Sequence, residues 1–266
     1  MRYVTKRNRA ILRAMISTDF KVRYQGSVLG YLWSLLRPLL MFGVLYVVFV
    51  YIFNLNKGVP HYGVYLLLGI VLWNFFLETT AIGMTSIVAR GDLIRKISIP
   101  RYLVVVSTTA SALINLTLNL LVVLVFALFN GVHPSTNWLL LLPLLFELFV
   151  FSLAVAFFLA TLYVKFRDVT YIWEVFLQAA FYGTPILYPL SLIPVRFQKF
   201  EHTLLLNPIA QIIQDARYAV ITRETVIGWN VLRLRFALVP IVIVLVMAAI
   251  SIRFFKKQSK YFAENL

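Results

Sequence analysis

The sequence predicts an all-α integral membrane protein. It has six transmembrane helices, an N-terminal amphipathic helix at the interface, and short re-entrant outer helices between spans 5 and 6. Three observations carry this reading. The 266-residue chain is 61% hydrophobic. Its uncharged runs, at 38–56, 59–77, 102–146, 148–164, 175–195 and 236–252, meet or approach the roughly 20 apolar residues that a helix needs to cross a bilayer core. The basic residues fall on alternate connections, with 18 of the 25 Lys and Arg in residues 1–37, 90–101, 165–167 and 253–260. Crowded basic loops mark the cytoplasmic face, so both termini are expected there.

Each element follows in turn. Residues 7–24 space Ile11, Leu12, Met15, Ile16, Phe20 and Val22 at near-helical intervals among Arg7, Arg9, Arg13, Lys21 and Arg23. Residues 1–28 therefore read as a helix in the cytoplasmic headgroup layer. It serves as an orientation anchor, a docking element, or both. Span 1 covers 31–55 and leaves through Asn56-Lys57-Gly58, and span 2 returns over 62–86. The connection from Ala89 to Pro100 is long enough for a short helix. The 45-residue run 102–146 is too long for one span, and the turn cluster from Asn130 to Asn137 divides it. Span 3 is then 102–129, and span 4 is 138–164, ending at Lys165-Phe166-Arg167-Asp168.

Span 5, over 171–188, stops at Thr184-Pro185-Ile186-Leu187-Tyr188-Pro189. The segment 189–235 is neither a hydrophilic loop nor a span, and Pro194 and Pro208 break it. Two short helices dipping into the outer leaflet suit it, provided that protein shields their backbone polar groups. Arg233 and Arg235 precede span 6 and argue against the orientation, but Arg253, Lys256, Lys257 and Lys260 at its other end outnumber them. The six-span region is 31–257, within a single transmembrane domain covering 1–266.

Composition excludes several functions. A net charge of +15 would suit nucleic acid, but the cations flank apolar spans and form no nucleic-acid-reading motif. Anionic headgroups explain them, so membrane and no nucleic acid is the expectation. There is no cysteine, hence no disulfide framework or thiolate metal site. His61, His133 and His202 are too scattered for a metal cluster. No Gly-rich phosphate loop is present, so this chain is not expected to hydrolyse ATP by that route. No nucleophile stands beside a candidate base. The basic N-terminus lacks a compact apolar core at signal-peptide distance and is not read as cleaved. The sequence therefore predicts no enzyme and no cofactor in this chain. Glu78, Glu147 and Glu174 fall in or near the membrane, where a carboxylate is a functional candidate or the partner of a neighbouring helix.

Aromatic residues form two stripes. Phe42, Tyr46, Phe49 and Phe53 recur at helical spacing along span 1; Tyr62, Tyr65, Trp73 and Phe76 share a face of span 2, with Gly69 between. They run along the helices rather than sitting at the ends, where aromatic belts belong. Packing is one reading. The other is a path whose flat rings stack on passing sugars.

Four stretches resemble a known family. The run from Gln25 to Pro38 contains Ser27, Leu29, Gly30, Leu32, Trp33, Leu35, Leu36 and Pro38. It is similar to the lead-in to span 1 of ABC-2-type permeases, in the branch that exports lipid-linked polysaccharides such as O-antigen, capsule and teichoic acid. Asp92-Leu93-Ile94-Arg95-Lys96-Ile97-Ser98-Ile99-Pro100 resembles the first coupling segment, and Phe166-Arg167-Asp168-Val169 the second inside turn. Thr184 to Pro189, with Asn207-Pro208-Ile209, resembles the outer re-entrant region. The resemblance covers nearly the whole chain.

It implies a homodimer with a pore between two copies, joined to two separate ATPase subunits that hold ATP and Mg. The positions it assigns to ATPase coupling are Asp92, Leu93, Ile94, Arg95, Lys96 and Pro100, with Arg167 and Asp168. The outer gate would include Pro185, Tyr188, Pro189, Asn207 and Pro208. Candidate path residues are Phe42, Tyr46, Phe49, Phe53, Tyr65, Trp73 and Phe76, with Arg37, a cation that meets a pyrophosphate-linked lipid or snorkels to headgroups. The rival readings are a proton-coupled secondary transporter using Glu78 or Glu147, a membrane glycosyl- or phosphotransferase, and an ABC-2 permease for drugs or lipids. The transferase would need acidic metal-binding pairs near the surface, and the sequence offers none.

Overall fold

A computed structural model describes residues 6–24, 27, 29–54, 59–96, 99–192, 198–231 and 234–262. The expected exit turn Asn56-Lys57-Gly58, Pro194 and Arg233 lie outside the described residues, as do Gln25, Gly26, Ile97 and Ser98 of the resembling stretches. The described residues are helical with irregular connections and contain no strand.

Helix α1 (Lys6–Tyr24) precedes α2 (Trp33–Tyr46), which continues as a π-helical segment, Val47–Ile52. Then come α3 (Tyr62–Ala89), the short α4 (Gly91–Lys96), α5 (Tyr102–Phe129), α6 (Leu141–Lys165) and α7 (Val169–Gly183). The chain closes with α8 (Gln198–Leu205), α9 (Pro208–Val220), the single turns α10 (Gly228–Val231) and α11 (Leu234–Ala237), and α12 (Val239–Gln258).

Among the described residues, five stretches are long and apolar enough to cross a membrane: Trp33–Ile52, Tyr62–Ala89, Tyr102–Phe129, Thr136–Lys165 and Val239–Tyr261. The expected fifth span is shorter than its uncharged run implies. Helix α7 has 15 residues, about 22 Å at the standard rise, and ends at Gly183. Pro185 is the cause, because the residue before a proline is pushed out of helical geometry. Thr184 accordingly turns extended, with ψ 138°.

Helix α3 is the centre of the protomer. It packs along both α5 and α6, while α12 lies on α6 and α1 on α5. Its first half is buried around almost the whole circumference, whereas Asn74, Leu77, Glu78, Ala81, Ile82, Thr85 and Val88 leave a partly exposed stripe along its second half. The α3–α6 crossing depends on small residues: a Cβ at Gly83 would stand 2.8 Å from the Ala156 Cβ. Close backbone approach through such residues drives helix association where lipid is as apolar as the side chains. Buried hydroxyls on α5 turn back to their own helix, Thr109 to Val105 O at 3.0 Å and Ser111 to Ser107 O at 3.0 Å. That leaves few donors unmatched in the apolar layer.

Candidate functional site

Two regions gather the residues singled out from the sequence. At the end expected to be cytoplasmic, Met15, Ile87, Ile94, Leu103, Val164, Phe255 and Phe262 belong to one apolar cluster. The cluster joins α1, the end of α3, α4, the start of α5 and the ends of α6 and α12. Both expected inside connections therefore stand on a common floor. Above it, Asp19 of α1 forms a salt bridge with Arg90, and Arg90 Nη1 donates to Ser107 Oγ at 3.0 Å. Burial lowers the Arg90 pKa, and the Asp19 carboxylate supplies its counter-charge. Helix α1 is thus fastened to the α3–α4 corner.

Helix α4 is the short helix expected between Ala89 and Pro100. Asp92, Arg95 and Lys96 are exposed, Leu93 and Pro100 are half-buried, and Ile94 is buried in the base cluster. Ile94 therefore anchors α4 rather than facing outward, which narrows the surface that a partner could touch to Asp92, Arg95 and Lys96. In the second turn Arg167 and Asp168 are exposed, with the Arg167 guanidinium 5.1 Å from the Tyr163 ring centroid.

The span 1 and span 2 aromatics part company. Tyr65, Trp73 and Phe76 are each 2% exposed. Trp73 and Phe76 pack with Phe151 of α6 and Phe181 and Trp173 of α7, and the Trp173 indole donates to Thr80 Oγ1 at 3.2 Å. These three residues pack helices together and line no open surface of the chain, because each is buried among its neighbours. On span 1, Phe42 and Tyr46 are half-buried, with Phe42 edge-on to Phe126, and Phe53 is 62% exposed beside Phe49. This half of the set borders the protomer surface, with exposed Arg37 on the same helix. A cleft of about 390 Å³ opens beside the start of α2, lined by Ser27, Leu29, Gly30, Leu32, Ser34, Leu35 and Leu118. Glu78 accepts from Asn115 Nδ2 at 2.9 Å, and Asn119 Nδ2 donates to Ser34 O at 3.1 Å. Glu78 thus belongs to a polar seam between α3 and α5.

On the outer side the expected gate residues converge on a side chain absent from the sequence-based expectations. Arg217 of α9 is fully buried. Its Nε donates to Tyr65 O at 3.1 Å, Nη1 to Pro185 O at 2.6 Å and Gln214 Oε1 at 2.9 Å, and Nη2 to Ile186 O at 2.7 Å. The guanidinium also lies 3.4 Å from the Tyr65 ring centroid. Burial lowers its pKa to about 10, so it stays charged at neutral pH. No carboxylate pairs with it among the described residues. Backbone carbonyls freed by the Pro185 break accept its protons instead, a solution open to a planar fork of five donors.

Gly69 makes room for this group, since a Cβ there would stand 2.5 Å from Arg217 Nη2. Tyr62 adds a second tie, its hydroxyl donating to Leu187 O at 2.6 Å. Pro189 is buried, and the half-buried Tyr188 donates to Tyr182 O at 3.3 Å. Asn207 and Pro208 act locally. Asn207 Oδ1 accepts from Ile209 N at 3.0 Å, and Pro208 occupies the first turn. Together they start α9. Two signals for Arg217 were in the sequence: a lone cation inside the apolar stretch Ile209–Val220, and a glycine midway along an aromatic stripe.

Comparison with known proteins bears on the whole arrangement. A profile of the ABC-2 type transporter family matches residues 11–221. The O-antigen export system permease protein RfbA of Klebsiella pneumoniae is 31% identical over 208 residues, 78% of each chain. A protein of the same name from Myxococcus xanthus is 30% identical over 258 residues, 97% of this chain and 96% of its own. The polysialic acid transport protein KpsM of Escherichia coli is 22% identical over 210 residues, 79% of this chain and 80% of its own.

Proposed function

The chain belongs to the ABC-2 type transporter family, and from that premise we propose that it is the membrane subunit of an ATP-driven exporter of lipid-linked polysaccharide. Two copies form the pore, each crossing the bilayer six times with both termini cytoplasmic, and two separate ATPase subunits bind ATP and Mg. The observation that carries the substrate class is the near-full-length similarity to the Myxococcus xanthus permease, whose name specifies O-antigen export. A match over 97% of this chain and 96% of the relative supports a shared organisation.

The geometry supports a division of labour. Movement enters at the exposed Asp92, Arg95 and Lys96 of α4 and at Arg167 and Asp168, with Leu93 and Pro100 framing the contact and Ile94 passing it to the base cluster. A short helix held on a packed floor transmits a push better than a loop, because interiors are dense and deform little. The polymer path runs along the span 1 face carrying Phe42, Tyr46, Phe49 and Phe53, and Arg37 meets the phosphates of the lipid carrier. Helices α8 and α9 dip into the outer leaflet and form the exit gate with Pro185, Tyr188 and Pro189. Helix α7 and its extended continuation complete the sixth crossing. The reading is tested by co-expressing the chain with candidate nucleotide-binding subunits from its own gene neighbourhood. A stable complex of equal stoichiometry is expected; a chain that purifies alone and fully active would refute the partnership.

A further inference from the structure

A second buried polar group lies on the other side of α9 from Arg217. Gln211 and Asp215 are one turn apart and share a face. That face meets α6 at Glu147, six residues in from the start of that helix, or about 9 Å along its axis. Gln211 Nε2 donates to Asp215 Oδ2 at 2.5 Å, and Gln211 stands beside the Glu147 carboxyl. Three acceptors in this group have no donor: Glu147 Oε1, Gln211 Oε1 and Asp215 Oδ1. Gln211 is 5% exposed and Glu147 and Asp215 are half-buried, but the three orphaned oxygens themselves are shielded from solvent. Two ionised carboxylates cannot face each other in such a place without a counter-charge, because orphaned acceptors and like charges are both costly in a low dielectric.

We propose that Glu147, Gln211 and Asp215 form a proton-binding site, in which the two carboxyls share one proton between α6 and α9. A hydroxyl on either carboxyl donates to one orphaned oxygen and removes one of the two charges. A metal ion fits less well. It requires six or more oxygens, whereas an amide NH₂ already points into this group. Among the elements packed on α9, α3 brings Tyr62 and Tyr65, α8 carries Lys199, Glu201 and His202, segment 136–140 has no ionisable group, and the cations of α12 sit in its last turns. Arg217 is committed to the carbonyls on the opposite face. Burial raises the Asp215 pKa, a shift in the direction of proton binding. The proton here seats the outer helix and is not the energy source of transport.

The test is an infrared pH titration of the full-length protein in lipid nanodiscs, following the carbonyl stretch of protonated carboxyls in wild type, Glu147→Gln and Asp215→Asn. One protonated carboxyl is expected to persist at neutral pH in wild type, unaffected by sodium or magnesium. Each variant should lower the midpoint of the remaining carboxyl by about one pH unit or more, because the like charge is gone. The proposal is overturned if wild type shows no protonated carboxyl at neutral pH. It is equally overturned if the band disappears on adding a metal ion at constant pH, or if both variants leave the midpoint where it was. The wild-type arms stand even if a variant fails to fold.

Discussion

The pin made by Arg217 yields the sharpest prediction, because its energetics can be separated from those of its surroundings. Replacing Arg217 with Met removes four hydrogen bonds, two of them to the Pro185 and Ile186 carbonyls in the non-helical stretch after α7. Truncating a buried, fully bonded charge costs on the order of 3–5 kcal/mol. Gly69→Ala should cost about 1–3 kcal/mol in the wild type as an overpacking change, because the new methyl would stand 2.5 Å from Nη2.

If the guanidinium is what the methyl strikes, the two losses do not add. With Met at 217 the space beside residue 69 is open, and Ala is the better helix former by up to about 1 kcal/mol. The coupling energy should therefore be about 1–3 kcal/mol in the direction of rescue. Unfolding of the four proteins by SDS titration in mixed micelles measures it, with tryptophan fluorescence reporting the transition. Additive losses would refute the account of Gly69 as the space reserved for Arg217.

Further expectations concern both ends of the molecule. Reversing Arg95 and Lys96 to Glu should abolish transport-coupled ATP hydrolysis in the assembled complex while membrane insertion, judged by protease protection, is unchanged; persistence of stimulated hydrolysis would remove α4 from the coupling path. Asp19→Ala leaves the buried Arg90 without its counter-charge, should cost about 1–3 kcal/mol, and should speed tryptic cleavage between Arg7 and Arg13. Asn207→Ala removes the cap of α9 and should cost about 1 kcal/mol, read by the same SDS titration. Asp215 binds its proton more tightly folded, at about 6, than at the ordinary 3.8. Its contribution is therefore complete below about pH 4 and is lost as pH rises towards 6, and Asp215→Asn should flatten that slope.

Particular residues show what the chain reveals before it folds. The alternation of apolar and basic segments exposed the membrane class, because the lipid solvent acts on every residue of a span. Pro208 marked a break and Thr184-Pro185 a helix end through local backbone chemistry. The length of span 5 was overestimated because an uncharged run continues through Pro185, while helical geometry does not. Tyr65, Trp73 and Phe76 are buried among helices, a packing that helical spacing leaves open, because it fixes a shared face without saying whether lipid, a path or another helix lies opposite. Arg217 bonds mainly to backbone carbonyls, which leave no trace in side-chain identity. Glu147 stood out as an intramembrane carboxylate, but its partner Asp215 lies far along the chain, and only the packing of α9 on α6 unites them.

The central claim is that this chain is a conduit driven by another protein. Its most direct test is transport of a fluorescent lipid-linked glycan in proteoliposomes, with and without the co-purified nucleotide-binding subunit. Movement that requires both proteins and hydrolysable ATP, and that survives collapse of the proton gradient, is the expected result. Vigorous movement by this chain alone, driven by an imposed pH gradient, would contradict it.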